Sequence, residues 1–276
     1  MDVTCVVDDA VRRNSRFWGE HGVAFLIETE DGRVLFDTGQ SGTVLLHNLA
    51  LLDVKPNSVD ALALSHAHDD HTGGLSMLLE QLNADTPLYA NPDLFRERYA
   101  VRDGQLEDVG PAMKRRDLDA GVALVLDAQQ REIVPRVWTT GEVVERPNSE
   151  GRSERHRMRR AGELVPDAYL DDMSLVLAQD DGLTLLCGCC HAGLLNTVTH
   201  VERAFGRPLR TIAGGLHLTG AADDELAHIC DVLAAMPALE YLYPNHCTGE
   251  AAFVALTCTL GPSVVRPCPA GTVLTA

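Results

Sequence analysis

Short apolar runs separated by turn residues make up much of the chain, with helical periodicity between them. Val23-Ala24-Phe25-Leu26-Ile27-Glu28-Thr29 and Arg33-Val34-Leu35-Phe36-Asp37 flank Asp31-Gly32, which predicts a β-hairpin closed by a tight turn. A helical stretch follows near Gly42 to Leu52, and then a short apolar strand, Asp60-Ala61-Leu62-Ala63-Leu64-Ser65. Gly73-Gly74 precedes a helix beginning Leu75-Ser76-Met77-Leu78, and Pro87-Leu88-Tyr89-Ala90 reads as the next buried strand. The second half echoes the first: Ser174 to Ala178, Asp181-Gly182 and Leu183 to Cys187 predict another hairpin, and Arg210 to Ala213 and Leu239 to Tyr243 two further strands.

The strand after the first hairpin, the end of the second hairpin and the last two strands each run into a histidine segment. These are His66-Ala67-His68-Asp69-Asp70-His71, Gly188-Cys189-Cys190-His191, Gly214-Gly215-Leu216-His217 and Pro244-Asn245-His246-Cys247. Loops at one rim of a sheet system are where sites are built on a rigid scaffold, so these four are expected to converge. Residues 102–162 have mixed charge and weak periodicity, and are expected to form a lid or excursion from a single domain spanning 1–276.

His66-x-His68-x-Asp70-His71 supplies three imidazoles and a carboxylate within six residues, all donors to divalent transition metals. In an extended loop His66 and His68 point the same way, toward one ion. Asp70 and His71, where the chain turns into the glycine pair, face a neighbouring ion, in the two-metal geometry of hydrolytic sites. Zinc, one or two ions, is the expected cofactor, and iron or manganese suits the same donors.

The histidine cluster resembles the signature of the metallo-β-lactamase superfamily. Glu20-His21-Gly22, Leu35-Phe36-Asp37-Thr38-Gly39, Thr72-Gly73-Gly74-Leu75, Val137-Trp138-Thr139-Thr140-Gly141-Glu142 and the later histidine segments occur in the order seen in one branch. That branch is labelled 7,8-dihydropterin-6-methyl-4-(β-D-ribofuranosyl)aminobenzene-5′-phosphate synthase. The resemblance implies an α/β fold, a four-layer αββα sandwich with a metal site at one sheet edge. It also implies one ion held by His66, His68 and His191, a second by Asp70, His71 and His246, and Asp37 beneath them orienting the histidine loop. Where many members carry a bridging aspartate, this chain has Gly214-Gly215-Leu216-His217. A neutral imidazole does not bridge two cations as a carboxylate does, so the second ion is expected to be weak or absent. His217 is then a replacement ligand, a proton donor or a structural residue.

Composition narrows the partners. The 276 residues hold 23 Lys and Arg against 40 Asp and Glu, a net charge of −17, so no large basic surface exists for nucleic acid. The densest basic run, Arg152 to Arg160, reads as a solvated face or an anion-attracting lid, with Arg146 and His21 as the other candidate anion donors. The first residues carry neither a basic stretch nor a sustained apolar segment, and no run is long enough for a membrane span, which reads as a cytoplasmic protein. Its eight cysteines read as reduced thiols, with Cys189, Cys190 and Cys247 favoured as buried small hydrophobes over zinc ligands. Asp171 and Asp172 read as turn or capping residues.

The function expected from these residues is a metal-dependent hydrolase acting on a small ester or phosphoester, with Asp70 orienting the water and His217 donating to the leaving group. The alternatives are a transferase joining a dihydropterin methyl pyrophosphate to an aminobenzene ribotide, an iron-dependent oxidoreductase on the same ligands, and a binding module without turnover. The partner in every case is a small molecule, and the oligomeric state is left open.

Overall fold

The strand Gly182–Cys187 is buried at every position, which a sheet achieves only when both of its faces are covered. In the computed structural model that strand lies inside a six-stranded sheet, in the order Tyr241–Asn245, Leu209–Gly215, Gly182–Cys187, Leu175–Gln179, Val137–Thr139, Arg131–Val134. A seven-stranded sheet runs Val273–Leu274, Asp2–Val7, Ala24–Thr29, Gly32–Phe36, Ala61–Ala63, Pro87–Ala90, Ala123–Leu126. Residues 1–111, 113–118 and 121–274 are described; residues 112, 119, 120, 275 and 276, which fall within the expected excursion or the expected domain span, lie outside the described residues.

Alternation along each strand sorts side chains into three apolar clusters. Phe25, Ile27, Val34 and Phe36 of the first sheet meet Leu175, Leu177, Leu186 and Ala213 of the second in a central cluster between the sheets. Leu26, Leu35 and Leu62 point the other way, onto Leu45 and Leu49 of the helix Gly42–Leu51 and onto Leu75 and Leu78 of the helix Leu75–Leu79. On the far side Leu185, Ile212 and Leu242 pack against the helices Leu194–Phe205, Asp223–Ala234 and Glu250–Leu260. The result is the four-layer αββα sandwich that the resemblance implied. No helix among the described residues is long and apolar enough to cross a membrane.

Strand direction gathers the histidine loops. Gly32–Phe36 and Ala61–Ala63 are parallel, as are Gly182–Cys187, Leu209–Gly215 and Tyr241–Asn245. Parallel neighbours end at the same edge, so Asp37, Ser65-His66, His191, His217 and His246 all emerge on one rim.

Residues 102–162 only partly leave the sandwich. Arg98–Arg102, Gln105–Asp108, His156–Arg160 and Glu163–Pro166 build a separate four-stranded antiparallel sheet. Between them, however, Ala123–Leu126 joins the edge of the seven-stranded sheet, and Arg131–Val134 and Val137–Thr139 complete the six-stranded one. Strands of three or four residues are too short to show a period, which hid them in the sequence. The N-terminal strand Asp2–Val7, which adds to the first hairpin through Ala24–Thr29, was likewise not expected.

The two environments differ in what truncation costs. Ile27→Ala, between the sheets, is expected to lower unfolding free energy by about 2–5 kcal/mol, whereas Leu164→Ala, exposed on the small sheet, stays within about 0.5 kcal/mol. Urea denaturation of both variants checks this, and equal losses would contradict the layer assignment.

Candidate metal centre

Asp37 follows the strand Gly32–Phe36 in a left-handed conformation, φ 59°, with its carboxylate fully buried. It accepts the backbone N–H of Ser65, the Ser65 hydroxyl and Nδ1 of His71, each at 2.7 Å. Because the Ser65 hydroxyl donates to Asp37, its lone pairs face Nδ1 of His66 at 2.9 Å. Both rings therefore carry a proton on Nδ1, which turns Nε2 of His66 toward His68 and Nε2 of His71 toward Cys189. Gly188 permits this packing: a Cβ there would lie 2.2 Å from Ser65 Oγ and 2.8 Å from Asp37 Oδ2.

Around the first of two donor sets, Nε2 of His66 faces Nδ1 of His68 at 2.9 Å. Two nitrogens on one tetrahedral ion at 2.0–2.1 Å stand about 3.3 Å apart, so a slight opening of this pair accommodates an ion. The His191 ring centroid lies 4.9 Å from that of His66 and 5.0 Å from that of His68. Nδ1 of His191 donates to the Gly151 carbonyl at 2.7 Å, leaving a buried Nε2 with no hydrogen-bond partner. Burial and the neighbouring imidazoles hold the pKa values of all three histidines well below the ordinary value. Neutral imidazoles with orphaned lone pairs are what a divalent ion requires.

The second set is acidic. Asp70 Oδ2 lies 3.2 Å from His246 Nε2, 3.7 Å from His71 Nε2 and 3.4 Å from His21 Nε2. Burial opposes charge on His246, but its bonds to Asp70 and Asp9 outweigh that and raise its pKa well above the ordinary value. Burial likewise opposes charge on Asp70, and His71 and His246 outweigh it and hold the carboxyl well below its usual range. A cation between them replaces the shared proton. The two sets adjoin, with His66 and His71 ring centroids 4.2 Å apart. The residues present therefore fit one or two divalent ions.

Two neighbouring carboxylates fix the ligand loops from behind. Asp171 accepts the Ala67 N–H and Asp172 the Ala192 N–H, each at 2.8 Å. Asp171 is itself gripped by the buried Arg98 at 2.6 Å, and Arg98 also pairs with Asp93 and Asp167. Burial pushes the pKa of Asp171 to about 7 and that of Asp172 to about 6, with Arg98 and the Ala192 N–H, respectively, opposing. The expected turn role is thus extended: these turns hold the loops of His66-His68 and His191.

His217 lies beside His191, ring centroids 4.2 Å apart, in a left-handed conformation with φ 46° and with Nδ1 buried and unpartnered. Its N–H donates to Cys247 Sγ at 3.2 Å. Cys190 joins the apolar core as expected, whereas Cys189 faces the histidines, 3.2 Å from His71 Nε2. Arg146 turns away and braces the Val143, Ala168 and Tyr169 carbonyls.

Three participants were not legible in the sequence. His156, hidden in the basic run, stands 4.8 Å from the His68 ring, and burial lowers its pKa to about 4. Tyr169 stacks on His191 at 4.2 Å and 7° and bonds His156 Nδ1 at 2.9 Å. Asp9, from the unexpected N-terminal segment, bonds His21 Nδ1 at 3.0 Å and lies 3.3 Å from His246 Nδ1. All three come from segments with no local spacing to the metal histidines.

Residues 18–153 match the family model of the metallo-beta-lactamase superfamily. The 7,8-dihydropterin-6-methyl-4-(beta-D-ribofuranosyl)-aminobenzene-5'-phosphate synthase of Methanocaldococcus jannaschii is 30% identical over 254 residues, covering 88% of this chain and 86% of that one. Among solved structures, Tm1679, described as a metal-dependent hydrolase of the beta-lactamase superfamily, superposes with a TM-score of 0.85 at 24% identity, over 100% of this chain and 99% of that one. YhfI from Bacillus subtilis, a metallo-beta-lactamase fold protein, gives a TM-score of 0.59 at 12% identity, over 99% and 98% of the two chains. The chain belongs to the metallo-β-lactamase superfamily, a fold family that implies divalent metal binding.

Asp37 is the residue on which ligand orientation turns. Asp37→Asn is expected to weaken metal binding about 10–100-fold, as loss of such outer partners does. Competition with a chromophoric chelator measures it, and an unchanged affinity would remove Asp37 from the site's construction.

Proposed function

We propose that this chain is a metal-dependent hydrolase of a small ester or phosphoester. Its resident ion is zinc, one held by His66, His68 and His191 and a second by Asp70, His71 and His246. The observation that carries the reading is the convergence of buried, partnerless imidazole nitrogens of His68, His191 and His217 on one cavity of about 690 Å³. That volume suits a small molecule. His156, His217, Arg152 and Arg155 also line it, which supplies donors for an anionic or phosphoryl oxygen.

When bound, such ions lower the pKa of a water toward neutrality and polarise the scissile group's oxygen. The chain's own residues do the rest. Asp70 Oδ2, between His246 and His21, orients the water and takes up its proton. His217, on the same cavity beside His191, protonates the leaving oxygen through a ring N–H. The small sheet carrying His156 covers the cavity and limits access of bulk water.

A second reading, favoured by the archaeal relative named as a synthase, is a transferase joining a dihydropterin methyl pyrophosphate to an aminobenzene ribotide. There Arg152 and Arg155 hold the pyrophosphate. Assaying pyrophosphate release with that substrate pair, alongside hydrolysis of a panel of phosphomonoesters, phosphodiesters and carboxylic esters, separates the two. Turnover of an ester without pyrophosphate chemistry supports the hydrolase, and pyrophosphate release coupled to product overturns it.

Elemental analysis of protein grown with supplemented metals is expected to find zinc at one to two ions per chain; below a tenth of an equivalent of any transition metal contradicts the site, and stoichiometric iron contradicts zinc. His68→Ala is expected to lower kcat/KM by more than about 100-fold, beyond the loss of an outer partner, with little change in the melting temperature of the metal-free protein. A large fall in that temperature would make His68 a structural residue instead.

A further inference from the structure

Cys189 sits between the strand Gly182–Cys187 and His191, is 3% exposed, and joins none of the apolar clusters that absorb Cys187 and Cys190. Its donor atom forms a triad with His66 and His191 and another with His71 and His246, all atoms of each triad within 4.8 Å of one another. Among the described residues it is the donor common to both ligand sets. Nε2 of His191, from the first set, is buried without a hydrogen-bond partner, and Nε2 of His246, from the second, meets Asp70 Oδ2 at 3.2 Å. His217 and Cys247, by contrast, form a triad with Cys189 but with none of the proposed ligands.

We infer that Cys189 binds as a thiolate shared between the two ions, in the role left open where Gly214-Gly215-Leu216-His217 replaces a bridging carboxylate. The inference rests on the metal-site reading above. Zinc–sulfur and zinc–nitrogen bonds of about 2.3 and 2.0–2.1 Å place sulfur and nitrogen about 3.6 Å apart on one tetrahedral ion. Sγ of Cys189 is 3.2 Å from Nε2 of His71, so only a small opening is needed. Sulfur has lone pairs for two metal bonds, whereas a neutral imidazole nitrogen has one. On binding, the S–H bond breaks, its proton leaves to solvent and metal–sulfur bonds form, with no change of oxidation state. The thiolate charge adds to that of Asp70 and lowers the repulsion between two close cations. The second ion is then not the weakly held one that the missing carboxylate suggested, and both ions depend on one side chain.

The test uses the full chain, reduced and loaded with cobalt(II) in place of zinc. The expected result is a near-ultraviolet thiolate-to-cobalt charge-transfer absorption that disappears in Cys189→Ala and persists in Cys190→Ala and Cys247→Ala. Chelator titration of Cys189→Ala is expected to show both ions weakened about 10-fold or more. X-ray absorption of the unmodified zinc protein, which needs no variant to fold, is expected to show sulfur at about 2.3 Å. Absence of sulfur, loss of the band only in Cys247→Ala, or weakening of one ion alone would overturn the shared thiolate. Elemental analysis of the same samples separates a chain that binds metal without sulfur from one that binds no metal.

Discussion

One buried carboxylate sets the geometry on which the rest of the site depends. Asp37 lies where two parallel strands end and receives three hydrogen bonds from Ser65 and His71. Those bonds satisfy a charge whose burial without partners would cost several kcal/mol. They also fix that Nδ1 of two rings carries a proton, and so that Nε2 is the atom turned toward the other donors. The left-handed backbone at Asp37, and again at Cys190, His217 and His246, places strained turns around the same rim. The sandwich bears this because its three apolar clusters hold the strand ends rigidly.

Electrostatics divides the cavity into unlike halves. His66, His68 and His191 are neutral because they are buried among one another. Around Asp70, the carboxylate overcomes the same burial and draws positive charge onto His71 and His246. A nitrogen-only histidine set thus adjoins a carboxylate-containing one, with Cys189 within reach of both. Arg98 supports the His66-His68 loop from behind through Asp171, although it touches no proposed ligand side chain.

The sandwich was legible because its strands are continuous apolar runs ended by glycine and aspartate turns, and the sheets' parallel edges follow from strands that alternate with helices. The metal histidines were legible where spacing is local, as in His66-x-His68-x-Asp70-His71. Illegible were contacts made by tertiary folding alone. Cys189 reads in sequence like the core residue Cys190, and only the turn after Cys187 sends their side chains to opposite sides. His156 looks like part of a charged run until the small sheet lays it over His68. Asp9 depends on the N-terminal strand, whose pairing no local pattern announces.

The central claim is that Asp37 presents Nε2 of His66 and His71 to adjacent ions. Anomalous diffraction at the zinc edge from crystals of the loaded protein tests it most directly. The account predicts one peak about 2.0–2.1 Å from Nε2 of His66, Nδ1 of His68 and Nε2 of His191, and any second peak bound to Nε2 of His71. A zinc peak at Nδ1 of His66 or His71, or one outside these donors, would contradict it.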